Sequence, residues 1–188
     1  IARNSAGLRG GGVRIASGTA PEIVNSTIVA NAVEGVFIDA YAQTGITNTI
    51  IASNGAGVRA LIPSAPSADY NLLWANAQGD YDGLPGGQHD VFADPMFVNA
   101  STDNYRLRFG SPAIDSGLTS AAPGSDRDGN VRPLTGRCDG QQAADIGAYE
   151  YLLAPGDCTQ PSPTATATAA ATATASRTPT ATPSPTSP

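Results

Sequence analysis

From Ile1 to Asp80, apolar side chains alternate with polar or small ones in short bursts that return on a fixed beat. Gly12-Val13-Arg14-Ile15, Gly35-Val36-Phe37-Ile38 and Gly57-Val58-Arg59-Ala60 share one pattern. Strand side chains have a period of two. Val13, Ile15, Val36, Ile38, Val58 and Ala60 therefore fall on one face, and Arg14, Phe37 and Arg59 on the other. A second phrase keeps step. Asn25-Ser26-Thr27-Ile28-Val29-Ala30-Asn31 returns as Asn48-Thr49-Ile50-Ile51-Ala52-Ser53-Asn54, at the same interval as Gly12 to Gly35. It returns again, one position shorter, as Asn71-Leu72-Leu73-Trp74-Ala75-Asn76. A fixed period of about 20–50 residues is the mark of a repeat architecture such as a solenoid. The runs are β-rich, broken by Gly and Asn, with no helical run. The prediction is an all-β chain, a right-handed parallel β-helix. Its coils would lie about 4.8 Å apart, with files Val13/Val36/Val58 and Ile15/Ile38/Ala60 along the interior. No coil can bury its face without a neighbour. The pattern leaves open which of Thr27 and Ile28 faces inward.

Asn25/Asn48/Asn71 and Asn31/Asn54/Asn76 are expected at the corners. Asn accepts left-handed backbone there, and stacked amides can bond along the rod axis; a polar binding face is the alternative. Ile1-Ala2-Arg3-Asn4 matches Ile51-Ala52-Ser53-Asn54, so the chain opens within a coil. Residues 1–78 are accordingly read as coils of a longer solenoid, truncated at the N-terminus, and residues 79–93 as a connecting loop. Tyr70, Trp74 and Tyr81 are expected to cover the last coil. Over 94–154 the period fades into short strands and tight turns, where a solenoid needs an atypical end. Residues 155–188 are almost entirely Thr, Ala, Pro and Ser. Such a segment has nothing to bury, which predicts a disordered stalk, and its Ser/Thr with Pro suggests O-glycosylation.

The cap region carries a series of phrases: DPMFVN from Asp94, NYRL from Asn104, GSPAIDSG from Gly110, DRDGNVRP from Asp126 and DIGAYEY from Asp145. Together with NSTIVAN and NTIIASN, the series resembles the C-terminal region of bacterial right-handed parallel β-helix proteins, in particular the choice-of-anchor Q type, over residues 1–151. The resemblance implies a secreted or surface-attached protein whose cap precedes an anchoring element. The broader fold is shared with pectate lyases, polygalacturonases and phage tailspikes, which says little about activity.

Charge narrows the partners. The formal charge is −6, and all ten basic residues are Arg. Without a basic stripe, nucleic acid is not an expected partner. No run of about 18 apolar residues is present, so no membrane span is predicted; a monomer is expected. Cys138 and Cys158 lie outside any CxxC, and His89 is the one histidine, which disfavours zinc. In an extracellular protein the two cysteines would close a disulfide; otherwise they are free thiols.

No catalytic residue is assigned. A glycoside hydrolase needs two carboxylates about 5–9.5 Å apart. The coil acids are Glu22, Glu34, Asp39 and Asp69. Asp39 should stack on Ala16 and Leu61, and Glu22 on Gly45 and Ala68, so no dyad forms. Arg14, Phe37 and Arg59, with Asp39 and Tyr41 beside them, are the candidate ligand-binding face. An exposed aromatic between two guanidiniums suits a glycan, although cation–π packing is the plainer alternative. Asp126, Asp128 and Asn130 alternate around a Gly turn like half of a calcium loop. Calcium is thus the one cofactor the sequence offers, against a simple tight turn. Asp115 and Asp145 read as turn caps, and Arg132 and Glu150 as a pair. The expected role is a secreted or cell-surface structural module, adhesion-type, with extracellular glycan as the candidate partner. A polysaccharide lyase or hydrolase with its site in upstream coils is one alternative, and a carbohydrate-binding module is the second.

Overall fold

A computed structural model describes residues 1–159; the Thr/Pro/Ala segment expected as a disordered stalk lies, from residue 160 on, outside the described residues. The first coil carries β1 (Val13–Ile15), β2 (Glu22–Val24) and β3 (Thr27–Val29). The second carries β4 (Glu34–Ile38), β5 (Gly45–Thr47) and β6 (Ile50–Ala52). The third carries β7 (Ala56–Ala60), β8 (Ser67–Asp69) and β9 (Leu72–Trp74), followed by β10 (Tyr81–Asp82). Like strands stack into three parallel sheets, β1-β4-β7-β10, β2-β5-β8 and β3-β6-β9. The chain is a parallel β-solenoid of about three turns, and it is all-β as the periodicity predicts.

The inward files form as expected. Val13 pairs with Val36, Val36 with Val58, and Val58 with Tyr81. Ile28, Ile51 and Leu73 make a third file, which settles the open phase: Ile28 is interior. Each fully buried side chain of this size contributes about 1.5–3 kcal/mol. The glycine of the repeat has a steric cause. A Cβ at Gly12 would collide with the Gly35 carbonyl oxygen of the next rung, and one at Gly57 with that of Asp80.

The rung spacing corrects one alignment. The first two coils pair at the interval that separates Asn31 from Asn54. The second and third pair at an interval one shorter, that of Asn54 to Asn76. The lost residue falls between Asn54 and Ala56, earlier than the third Asn phrase. Tyr70, not Asn71, therefore stacks above Asn48, and Asn25, Asn48 and Tyr70 all hold positive φ. By the same shift Gly45 pairs with Ser67, so Ser67 rather than Ala68 continues the file of Glu22. The other Asn file is a true ladder. Asn31 donates Nδ2 to Asn54 Oδ1 at 2.9 Å, and Asn54 to Asn76 Oδ1 at 3.1 Å; Asn4 extends it by donating to Asn31 Oδ1 at 3.0 Å. Left-handed backbone sits just before each amide, at Arg3, Ala30, Ser53 and Ala75. Ala2 bridges Val29, so the first residues lie in register, as read from the sequence.

Residues 79–93 extend the stack: β10 pairs with β7, Val91 bridges Leu72, and Leu84 and Phe92 pack on the interior core. Residues 94–151 do not simply close the end of the rod. They lie along the outer side of β3-β6-β9, where Tyr105, Leu107, Ala113, Ile114, Ile146 and Tyr149 form a second core with Val29, Ile50, Ala52 and Leu72. Within them β11 (Phe97–Asn99) and β12 (Asn104–Leu107) make an antiparallel pair. The first Asn file fastens this lining. Asn48 exchanges bonds with the Leu118 backbone, Asn25 Nδ2 donates to Asp145 O, and Ala148 N donates to Thr27 Oγ1.

Candidate functional site

On the outer face of the first sheet, the structure separates the expected ligand-binding residues. Phe37 does point away from the interior file, but it is not exposed: its relative exposure is 0 %. The Arg9 guanidinium lies 4.9 Å from its ring centroid, so the segment leading into β1 covers the ring. This corrects the expectation of an open aromatic between Arg14 and Arg59. Both arginines are paired. Arg14 makes a two-pronged contact with Asp39, Nε to Oδ2 at 2.9 Å and Nη2 to Oδ1 at 3.2 Å. Arg59 Nε donates to Asp82 at 2.8 Å, and its Nη1 reaches Glu34 at 3.4 Å. Glu34, which the sequence reading left without a role, is buried and also accepts from Gly10 N at 2.8 Å. Tyr41 stands apart from this buried face, 67 % exposed in the turn after β4.

The candidate calcium residues have other work. Asp126 Oδ1 accepts from the backbone of Asp128 and Asn130, and Oδ2 accepts from Asn130 Nδ2 and Glu150 N. Burial alone would raise this carboxyl, but the bonds from Asn130, Glu150 and Asp128 hold it below the usual carboxylate range. Asp128 is bound by Arg106, at 2.7 and 2.8 Å. These oxygens organise a tight turn and lock it to the last segment, and no group of three or more His, Cys, Asp or Glu suited to a metal occurs among the described residues.

The most unusual electrostatics were only half read from the sequence. Asp145, 1 % exposed, caps backbone as expected, accepting from Asp115 N at 2.8 Å and Tyr151 N at 2.6 Å. Burial, and next the Glu150 carboxylate, push it up to about 8. Glu150 is raised by burial too. It accepts from Asp145 N at 2.9 Å and lies 3.4 Å from Arg132 Nε, the expected pair. Burial lowers the Arg132 guanidinium; among the described residues its Nη2 donates to Gly147 O at 3.0 Å, while Nε and Nη1 make no hydrogen bond. Asp115 caps a neighbouring loop by accepting from Gly136 N and Arg137 N.

Cys138 and Cys158 form a disulfide. Beside it, Phe109, Pro112, Ile114 and Arg137 line a cleft of about 320 Å³. At the third coil, His89 stacks on Tyr70 with ring centroids 4.2 Å apart and meets Asp69 at 2.9 Å, while Tyr81 enters the core and donates to Asp90 at 2.7 Å. Among the described residues no helix is long and apolar enough to cross a membrane.

The arrangement defines a class: a β-solenoid with a stapled side lining, in which Arg14, Arg59, Arg106 and Arg132 are held in internal ion pairs. Comparisons with protein-family models, curated proteins and solved structures find no match to this chain.

Proposed function

We propose that the protein is a secreted or cell-surface structural module, a short rigid rod whose C-terminal lining is the point of attachment. One observation carries this reading. The last described residues are tied into the lining by Cys138–Cys158 and by Tyr151 Oη donating to Asp157 at 2.7 Å, directly before the Thr/Pro/Ala run. A clasp in that place transmits a pull on the following segment to the lining. The disulfide fits an oxidising compartment. The resemblance of the cap phrases to the choice-of-anchor Q type supports surface attachment, with adhesion as the role such a rod serves. The pairing of the coil acids supports a structural reading: Glu34, Asp39, Asp69 and Asp82 each face an Arg or His partner.

The test uses intact cells that make the protein. Antibodies to the rod should label them before lysis, and brief protease shaving should remove the label. Labelling that appears only after lysis overturns the proposal.

A further inference from the structure

Two asparagines in the chain begin the tripeptide Asn-X-Ser/Thr with X other than proline: Asn25-Ser26-Thr27 and Asn99-Ala100-Ser101. That tripeptide accepts an oligosaccharide on its side-chain amide, and the added bulk demands a surface loop. The structure decides between the two. Asn25 is 8 % exposed, and its Nδ2 donates to Asp145 O at 2.9 Å and to Gly147 O at 3.3 Å. Thr27 Oγ1 accepts from Ala148 N at 3.0 Å. An oligosaccharide on Asn25 would need the space that the lining fills, so this tripeptide is closed to modification.

Asn99 differs in each respect. It ends β11, and every residue from Val98 to Asp103 is exposed. Its Oδ1 accepts from Ser101 Oγ at 2.6 Å and from Ser101 N at 3.1 Å. Its Nδ2 makes no hydrogen bond among the described residues. The amide and the hydroxyl that define the acceptor therefore touch, and the nitrogen is free. Arg3 holds the turn from the edge of the first coil. Its Nη2 donates to Ala100 O at 2.8 Å and Ser101 O at 3.0 Å, and its Nε to Asp103 at 2.5 Å. A loop ordered before it meets a partner loses less entropy on being bound.

We propose that Asn99 is a glycosylation site whose co-substrate is a polyprenyl-diphosphate-linked oligosaccharide. In the transfer, Asn99 Nδ2 forms a bond to the anomeric carbon of the first sugar. The bond from that carbon to the diphosphate oxygen breaks, and its electron pair leaves on the diphosphate. The nitrogen gives up one proton to the transferase, and nothing is oxidised or reduced. The inference rests on the surface reading above, because an exported chain is the one that meets such a transferase.

The test is mass spectrometry of the full chain purified from the cells that make it. An endoprotease cutting before Asp releases Asn99 in the peptide 94–102. That peptide should carry the added mass of a chain of hexose or N-acetylhexosamine units, and the peptide holding Asn25 should carry none. Ser101→Ala should abolish the modification. Ser101→Thr, which keeps the hydroxyl, should retain it. Substitution at an exposed site of this kind leaves the fold intact, so the two variants compare directly. The proposal is overturned if peptide 94–102 is unmodified, if Asn25 carries the glycan instead, or if Ser101→Ala leaves occupancy unchanged. Surface labelling of the same culture separates the two readings. An unmodified peptide from cells labelled before lysis sinks the site alone, and one from cells labelled only after lysis sinks both.

Discussion

At the scale of single residues, Asn54 and Phe37 hold the rod in opposite ways. Asn54 Oδ1 accepts from Asn31 N and Nδ2, and its Nδ2 donates to Ile28 O and Asn76 Oδ1, all buried. Asn54→Ala would strand two Asn31 donors without water to replace the lost acceptor. A buried unpaired group costs about 1–3 kcal/mol, so the urea midpoint should fall while the m-value stays fixed. An unchanged midpoint would mean that the ladder follows the coil rather than holding it. Phe37 acts through volume. As a ring buried between strands and the Arg9 segment, it should cost about 3–5 kcal/mol as Phe37→Ala. A loss under about 0.5 kcal/mol, the usual range for an exposed site, would restore the open-face picture. The sequence could not distinguish these cases, because Phe37 sits on the outward parity of its strand and the covering residue, Arg9, lies in a stretch outside the repeat.

At the scale of elements, the third sheet is buried on both sides. Its strands read Thr-Ile-Val, Ile-Ile-Ala and Leu-Leu-Trp, without the alternation of β1 and β4. Continuous apolar strands are what a sheet covered on both faces looks like. The signal was present in the sequence, but it names no partner, and the partner lies far down the chain, between Tyr105 and Tyr149. Ile146→Ala should cost about 2–5 kcal/mol through the cavity it leaves in the second core. Loosening should appear first in hydrogen exchange of residues 97–107 and 144–151, with the coil strands protected. Loss of protection throughout would show that lining and coils unfold as one unit. The disulfide acts on the same element. Its sequence separation of 20 spans the segment from Asp145 to Tyr151, and a closed loop of that size contributes about 3 kcal/mol by the chain-entropy account. Cys138→Ser with Cys158→Ser should lower the denaturation midpoint accordingly. The pairing itself was open in the sequence, since it depended on the compartment. The coil register, by contrast, was legible, because an alternation of inward and outward positions that returns once per coil leaves few other arrangements. The slip of one position after Asn54 was missed because Gly55 and Ala56 carry no feature that marks a deletion.

At the scale of the whole molecule, rod and lining meet at a charged centre that water does not reach. Arg132 comes from one loop, Asp145 and Glu150 from the last segment, and Asn25 from the first coil bonds the Asp145 carbonyl. Replacing such a centre by apolar residues is often no loss in stability, so its effect is better sought in pH dependence. Asp145 is raised from 3.8 to about 8 in the folded chain, by burial and then by Glu150, while Asp115 adds a smaller push. The groups facing it are Glu150 and Asp115, with Arg132 the cation beside Glu150. Between those two pH values the folded state holds a proton that the unfolded state releases. More protons bound in the folded state means that stability falls with rising pH. The contribution is complete below about pH 4, declines through the neutral range and is gone above about pH 8, at about 1.4 kcal/mol per pH unit. Asp126 has the opposite sign, since its carboxyl is lowered; its share is present above the unfolded value and is lost only in strong acid. Melting temperature should therefore decline from pH 5 to pH 8.5. Asp145→Asn, which keeps an acceptor for the Asp115 and Tyr151 amides but carries no charge, should flatten most of that slope. A slope identical in the variant would place the titration elsewhere and show that Asp145 is ionised in the folded rod.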